Sequence, residues 1–217
     1  MKDYYRRKLP HWIPPEATFF VTFRLVHSLP TKVLKELEAV RKRSRQRIYR
    51  QYRGQKQKDK LYELEKQYFT HFDAWLDRCI EESPRWLMEN SIASIVAEEI
   101  HRLEKKRYEL IAYCIMPNHV HLLVNTAGFP FAPSHQGKTA SYPLTDTLRL
   151  IKGRTARRCN QILGRQGKFW QPESYDHVIR NENEQEKTLA YILHNPVKAG
   201  LVDDWERWPF SYMTEKL

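Results

Sequence analysis

Cysteine is scarce in this chain: Cys79, Cys114 and Cys159 stand far apart and are odd in number. They form no Cys-x-x-Cys pair and no zinc-finger spacing, which removes a disulfide framework and a thiolate metal site as organising features. Buried free thiols in a reducing compartment are the expected state. Long apolar runs are missing too. None approaches the roughly 20 residues that cross a bilayer. The opening Met1-Lys2-Asp3-Tyr4-Tyr5-Arg6-Arg7 leads into no signal-type apolar stretch, so a cytoplasmic setting with no membrane role is expected. Internal repeats and low-complexity tracts are absent apart from one basic run. Acid is the other shortage: 26 Asp and Glu face 37 Lys and Arg, a formal net charge of +11. That surplus suits a polyanionic partner, nucleic acid ahead of an anionic membrane surface. A soluble basic protein without such a partner fits the same number.

What is present reads as alternating elements. Pro10, Pro14 and Pro15 mark extended or turn chain. Thr18 to Leu25 is β-branched and aromatic and predicts the first strand. Thr31 offers an N-cap, and Leu34, Leu37 and Val40 recur at helical spacing. Dense positive charge from Arg41 to Lys60 follows, then a second helical pattern through Leu61, Leu64, Tyr68, Phe72, Trp75, Leu76 and Ile80, stopped by Pro84. Ile92, Ile95, Val96, Glu99 and Leu103 mark a third. Tyr108 to Ile115 and His119 to Val124 read as strands joined by the turn Met116-Pro117-Asn118, an antiparallel hairpin. Residues 127–143 read as a loop. Thr145 is predicted to cap a helix through Leu148, Ile151, Ala156 and Ile162, ending near Gly164. Lys168-Phe169-Trp170-Gln171 reads as a short strand or tight turn, and Asp176 to Arg180 has strand alternation. A last helix opens at Asn181 to Glu186 and carries Leu189, Tyr191, Ile192 and Leu193 to Pro196. Trp205 and Trp208 are expected to seal the core. The order fits an α+β fold: a ferredoxin-like antiparallel sheet with helices on one face. One domain over 1–217 is expected, with an inserted basic helical region at about 31–107 in place of a single crossover helix.

The chemistry-bearing stretch is Met116-Pro117-Asn118-His119-Val120-His121-Leu122-Leu123-Val124. In a strand, residues two apart share a face. His119 and His121 would project together, with Val120, Leu122 and Val124 entering a core on the other side. Two imidazoles on one face make half of a divalent-metal site; a structural strand with polar residues on its wet face has the same spacing. A third ligand is offered by Tyr191-Ile192-Leu193-His194-Asn195, where Tyr191 and Asn195 lie four apart on one helix face. A helix beside the His strand could present the Asn195 amide oxygen to a metal and the Tyr191 hydroxyl to a substrate. An ordinary half-buried helical tyrosine is the bland alternative. Tyr175, in a stretch read as a loop, is the other candidate nucleophile.

The chain resembles the REP-associated tyrosine transposases, relatives of the IS200/IS605-type single-strand transposases. The matching blocks are Arg6 to Trp12, Phe20 to Leu25, Met116 to Leu123, Lys152 to Arg158, Phe169-Trp170-Gln171, Tyr191 to Val202, and Trp208 to Tyr212. The resemblance implies a nuclease site of two histidines flanking an apolar residue, with a helix-borne tyrosine. His119, His121 and Asn195 would be metal ligands for Mg²⁺ or Mn²⁺, and Tyr191 the nucleophile. It further implies nicking of single-stranded or hairpin DNA of repeat elements, a 5′-phosphotyrosine intermediate, rejoining without ATP, and a nucleoid-associated monomer or homodimer. Where the family more often has one short helix, this chain has its residues at about 31–107.

A grip for nucleic acid is expected from Lys152, Arg154, Arg157, Arg158, Arg165 and Lys168, followed at once by Phe169 and Trp170. Cations track phosphates and rings stack on bases. Trp170 as a core residue is the alternative. The run from Arg41 to Lys60 is a second candidate grip, with a solvated helix as its alternative. Two rival functions stand beside the nuclease: a non-catalytic nucleic-acid-binding protein on the same scaffold, and an RNA-acting enzyme, which the 2′-hydroxyl would discriminate.

Overall fold

The computed structural model describes residues 4–6, 10–12, 16–129 and 143–215. The chain divides into two compact units, Met1–Leu25 with Trp86–Leu217, and Val26–Arg85. In chain order the elements are β1 (Tyr4–Arg6), β2 (Pro10–Trp12), β3 (Thr18–Arg24), α1 (Thr31–Gln51), α2 (Gly54–Arg78), α3 (Asn90–Leu103), β4 (Glu109–Ile115), β5 (His119–Asn125), α4 (Pro143–Ile162), β6 (Tyr175–Val178), α5 (Glu182–Lys198) and β7 (Ser211–Met213). β1 and β2 pair with each other. Arg7 to Leu9, Pro14, Pro15 and most of the expected loop, 130–142, lie outside the described residues.

The sheet of the first unit runs β6-β3-β5-β4-β7, with every neighbouring pair antiparallel. Its first four strands in that order reproduce the ferredoxin-like arrangement in which strand, helix, hairpin, helix and strand follow one another. β7 extends the outer edge of β4. β5 lies in the middle, paired on both edges, and His119 to Val124 are buried on both of its faces. On one face Phe19, Val21 and Phe23 of β3 and Val120, Leu122 and Val124 of β5 pack with Ile92, Val96 and Ile100 of α3 and Leu148 and Ile151 of α4. α3 and α4 supply the helices expected on one face. α5 lies against the other: the Asn195 amide and the Tyr191 ring both meet His121.

Several local expectations change. α3, placed by the sequence among the helices at about 31–107, packs in the core of the sheet unit, and the second compact unit covers Val26–Arg85. Thr31 is the first residue of α1, whose cap position is Pro30 with no side-chain cap hydrogen bond. Val40, expected on the apolar stripe, is 54% exposed. α4 starts at Pro143 rather than after Thr145. Proline suits a first helical turn, because the N–H it lacks would have no intrahelical partner there. Gly164 follows the end of α4 at φ +59, a conformation that costs glycine nothing. Trp205 and Trp208 are half-buried rather than core, and the Trp208 indole donates to the Ile115 carbonyl at 2.9 Å. Among the described residues no helix is long and apolar enough to cross a membrane. In the second unit α1 and α2 form an antiparallel pair around Leu29, Leu76 and Cys79, with Leu34, Phe72 and Trp75 packed against them.

All three cysteines are buried thiols. Burial pushes the Cys159 thiol up from 9.0 to about 12 and the Tyr113 phenol up from 10.0 to about 12. Both groups keep their protons in the fold over a range where the unfolded chain ionises. Their contribution is therefore fully present below the unfolded values and is lost as pH climbs towards about 12. The urea midpoint is expected to fall from pH 9 upwards, and Tyr113→Phe should flatten the part above pH 10. A midpoint that holds constant across this range would contradict the burial assigned to these groups.

Candidate active site

The site begins with the pleat of β5. His119 and His121 are both completely buried, on the face opposite Val120, Leu122 and Val124. Their Nε2 atoms lie 3.0 Å apart, and the rings meet nearly edge to face at 4.6 Å between centroids. Each ring is held from behind. His119 Nδ1 donates to the Asn118 Oδ1 at 2.6 Å, which leaves a lone pair on its Nε2. His121 Nδ1 meets the Thr22 hydroxyl at 2.8 Å. Thr22 stands opposite His121 in the β3–β5 register, so the ladder itself delivers this partner. Phe20, one step along the same face, stacks on His121 with centroids 5.5 Å apart.

α5 supplies the rest. Asn181 caps it, its side chain accepting from the Glu184 N–H at 2.9 Å, and Glu182 and Glu184 sit in the first turn. Ile192 and Leu193 are buried, which orients the helix with Asn195 inward. Asn195 is fully buried, and its Nδ2 lies 3.1 Å from His121 Nε2. Its Oδ1 is buried without a hydrogen-bond partner, an arrangement that costs about 1–3 kcal/mol. A half-turn of the amide presents that oxygen to the histidine nitrogens instead. Tyr191, one turn earlier, packs its ring edge-on to His121 at 5.6 Å and to Phe20 at 6.1 Å between centroids. The Lys198 ammonium lies 5.6 Å from the centre of that ring. Tyr191 is half-buried.

This donor set fits a divalent cation. Two imidazole nitrogens 3.0 Å apart face each other, and cis ligands bound at about 2.1 Å stand about 3 Å apart. Both rings carry outer hydrogen bonds of the kind that orient metal-binding histidines, and the Asn118 oxygen also fixes the tautomer of His119. With its amide turned, Asn195 would offer a hard oxygen donor of the kind that Mg²⁺ and Mn²⁺ favour.

The remaining candidates, and two histidines close to them in sequence, divide. Tyr175 is in a strand, not a loop, and stands opposite Thr22, on the histidine face. His194 is an exposed helix residue bonded to the Ala190 carbonyl. His177 pairs with Glu184 at 3.1 Å. Trp170 is a core residue, 5% exposed, packed edge-on to Phe23 with its indole donating to Thr155 at 2.9 Å. No ring face is left for a base, so the stacking role expected of it is withdrawn. Four of the six cations of the expected grip are engaged by the protein. Lys152 donates to the Pro172 carbonyl and Ser174. Arg154 and Arg158 pair with Glu99 and Glu98 of α3. Arg165 bonds Asn160 and lies over the Trp86 ring. Arg157 and Lys168 are exposed.

Residues 85–195 match the family described as "Transposase IS200 like". That span is just over half of the chain and contains His119, His121, Tyr191 and Asn195. The chain belongs to the IS200-like transposase family. A Haemophilus influenzae protein provisionally named a REP-associated tyrosine transposase is 32% identical over 109 residues, 48% of this chain and 58% of that protein. The REP-associated tyrosine transposase of Escherichia coli K12 is 44% identical over 43 residues, 20% of this chain and 26% of that protein. The match therefore spans little more than half of the one relative and about a quarter of the other. Among solved structures, a REP-associated tyrosine transposase bound to a REP hairpin is similar over 95% of this chain and 80% of its own, at 17% identity and a TM-score of 0.47.

Thr22→Val keeps the shape of the side chain and removes the partner of His121 Nδ1. Loss of such an outer partner lowers metal affinity by about 10–100-fold. Calorimetric titration with Mn²⁺ should show that drop without a change in the thermal unfolding midpoint of the metal-free protein by more than a few degrees. Equal affinities in the two proteins would contradict the outer-shell role of Thr22.

Proposed function

We propose that this protein is a metal-dependent single-stranded DNA endonuclease and strand transferase that nicks and rejoins structured repeat DNA through Tyr191. The observation that carries the reading is the buried meeting of His119, His121 and Asn195 beside the Tyr191 ring. His119, His121 and Asn195 would hold Mg²⁺ or Mn²⁺. When bound, the cation polarises the scissile phosphate and offsets the negative charge that builds during attack.

The chain's own groups supply the remainder. The Tyr191 oxygen attacks phosphorus and loses its proton; an oxygen–phosphorus bond forms to the tyrosine. The bond from phosphorus to the 3′-oxygen breaks, and that oxygen leaves as a hydroxyl. The 5′-phosphate stays esterified to Tyr191. Attack by a 3′-hydroxyl on this ester reverses the step and rejoins DNA, so no nucleotide cofactor is consumed. A free tyrosine loses its proton near pH 10, so its phenolate is scarce at neutral pH. Charge compensation at the phosphate is then the principal aid, with the Lys198 ammonium close to the attacking ring. The packing of Phe20 and His121 against Tyr191 restricts the ring before substrate arrives, which lowers the entropic part of the barrier. The relatives carrying the name REP-associated tyrosine transposase support REP DNA as the substrate.

The test is a denaturing gel of labelled single-stranded hairpins incubated with Mg²⁺, Mn²⁺ or EDTA. Wild-type protein should give a metal-dependent nick with the fragment 3′ of the nick trapped on protein through its 5′-phosphate, and Tyr191→Phe should give neither. His119→Ala should lose more than the about 10–100-fold typical of an outer-shell partner. An adduct that survives Tyr191→Phe would move the nucleophile, to Tyr175 first. Tight binding with no adduct under any metal would leave a non-catalytic binding protein.

A further inference from the structure

The helical pair of the second unit ends in a turn, Tyr52-Arg53, between α1 and α2. Gly54 takes up the turn at φ +57. Arg53 spans the end of α1, its guanidinium donating to the carbonyls of Tyr49 and Tyr52. Around this turn the charge is one-sided. Residues 41–58 hold nine lysines and arginines and no acid. Of these, Arg41 is committed to Glu65 and to the Tyr68 ring. Arg43, Arg47, Arg50, Lys56 and Lys58 are exposed.

Arg43, Arg47 and Arg50 follow one another at i, i+4 and i+7, a single stripe about 10 Å long on α1. Like charges at this spacing weaken a helix by about 0.2–0.5 kcal/mol a pair. No acid lies within the stripe to relieve them, so a stripe of this kind is stabilised when it meets a polyanion. Duplex DNA presents one charge per about 1.7 Å of axis, enough phosphate over that length for every arginine. Each nearby ring has a cation beside it: Arg45 lies 5.8 Å from the centre of the Tyr49 ring and Lys56 5.4 Å from that of Tyr52, and Tyr49 is 44% exposed. A row of cations spaced by the turns of one helix suits the regularly spaced phosphates of a duplex backbone.

We propose that the tip of the α1–α2 pair is a second nucleic-acid-binding surface, which grips the phosphate backbone of duplex DNA without reading its sequence. It rests on the reading above only in taking DNA as the polyanion. It differs from the cations of α4 in lying wholly within the second unit.

The test uses the full chain and its triple variant Arg43→Gln, Arg47→Gln, Arg50→Gln. The probes are a labelled DNA hairpin of arbitrary sequence and an unstructured thymidine strand, bound across a potassium chloride series. Each lost phosphate contact on duplex lowers the salt slope by about 0.9. The hairpin slope is expected to fall by about 2–3, with affinity at least about tenfold weaker, while the thymidine strand changes little. Lys32→Gln, Lys35→Gln at the other end of α1 controls for net charge and should leave the slope in place. The Arg→Lys version of the triple variant keeps the charge and should also keep the slope, and circular dichroism reports whether α1 is intact. An unchanged hairpin slope in the glutamine variant, or an equal fall in the lysine pair, overturns the proposal. Binding to phosphatidylserine vesicles that depends on the three arginines, with hairpin binding unaffected, overturns it in favour of a membrane surface. Adduct formation by Tyr191 on the labelled repeat hairpins is read separately, so a failed nuclease reading and a failed grip are distinguishable.

Discussion

Everything in the first unit depends on the register of β5 between β3 and β4. A strand has two faces, and this one uses both. Val120, Leu122 and Val124 fill the core beneath α3 and α4, while His119 and His121 turn to the face under α5. A slip of one residue would drive both imidazoles into the apolar layer and turn three apolar residues out of it. The hydrophobic core therefore fixes the histidines as firmly as it fixes the fold. The tight link from β4, closed by the Met116 N–H donating to the His119 carbonyl at 2.8 Å, sets where that alternation starts.

The same register brings the supporting groups. Thr22 is opposite His121 because β3 pairs with β5, and Tyr175 is opposite Thr22 because β6 pairs with β3. One row across the sheet thus carries a tyrosine, a hydroxyl and an imidazole in adjacent places. α5 completes it from above, with the Asn181 cap at one end and Asn195 near the other. Pro196 falls inside α5, directly after Asn195, where its missing N–H weakens only the last turn. Position and chemistry are therefore separable here: the sheet sets the imidazoles, and the helix sets the amide and the phenol.

Much of this was legible in the sequence because it is local. The spacing of His119 and His121, the hairpin, the Tyr191 and Asn195 pair and the acidic start of α5 all follow from periods of two and of about four residues. What depends on distant chain was not. Thr22 carries no signal until β3 is laid beside β5. Trp170 follows a basic helix and reads as a stacking residue, yet Phe23 and Thr155 enclose it. The basic face of α4 looked unpaired because Glu98 and Glu99 lie more than fifty residues earlier and reach it only once α3 packs alongside. α3 itself was grouped with the charged helices before it, although its fully buried Ile92, Ala93, Val96 and Ile100 belong to the sheet.

The central claim is that His119, His121 and Asn195 form one metal centre. Anomalous diffraction from crystals of the protein grown with Mn²⁺ tests it most directly. The account requires a peak bonded to the Nε2 atoms of both histidines and to the side-chain oxygen of Asn195, with Thr22 and Asn118 still on the two Nδ1 atoms. A peak elsewhere, or histidines bonded only to each other with the Asn195 nitrogen still turned towards them at saturating Mn²⁺, would contradict it.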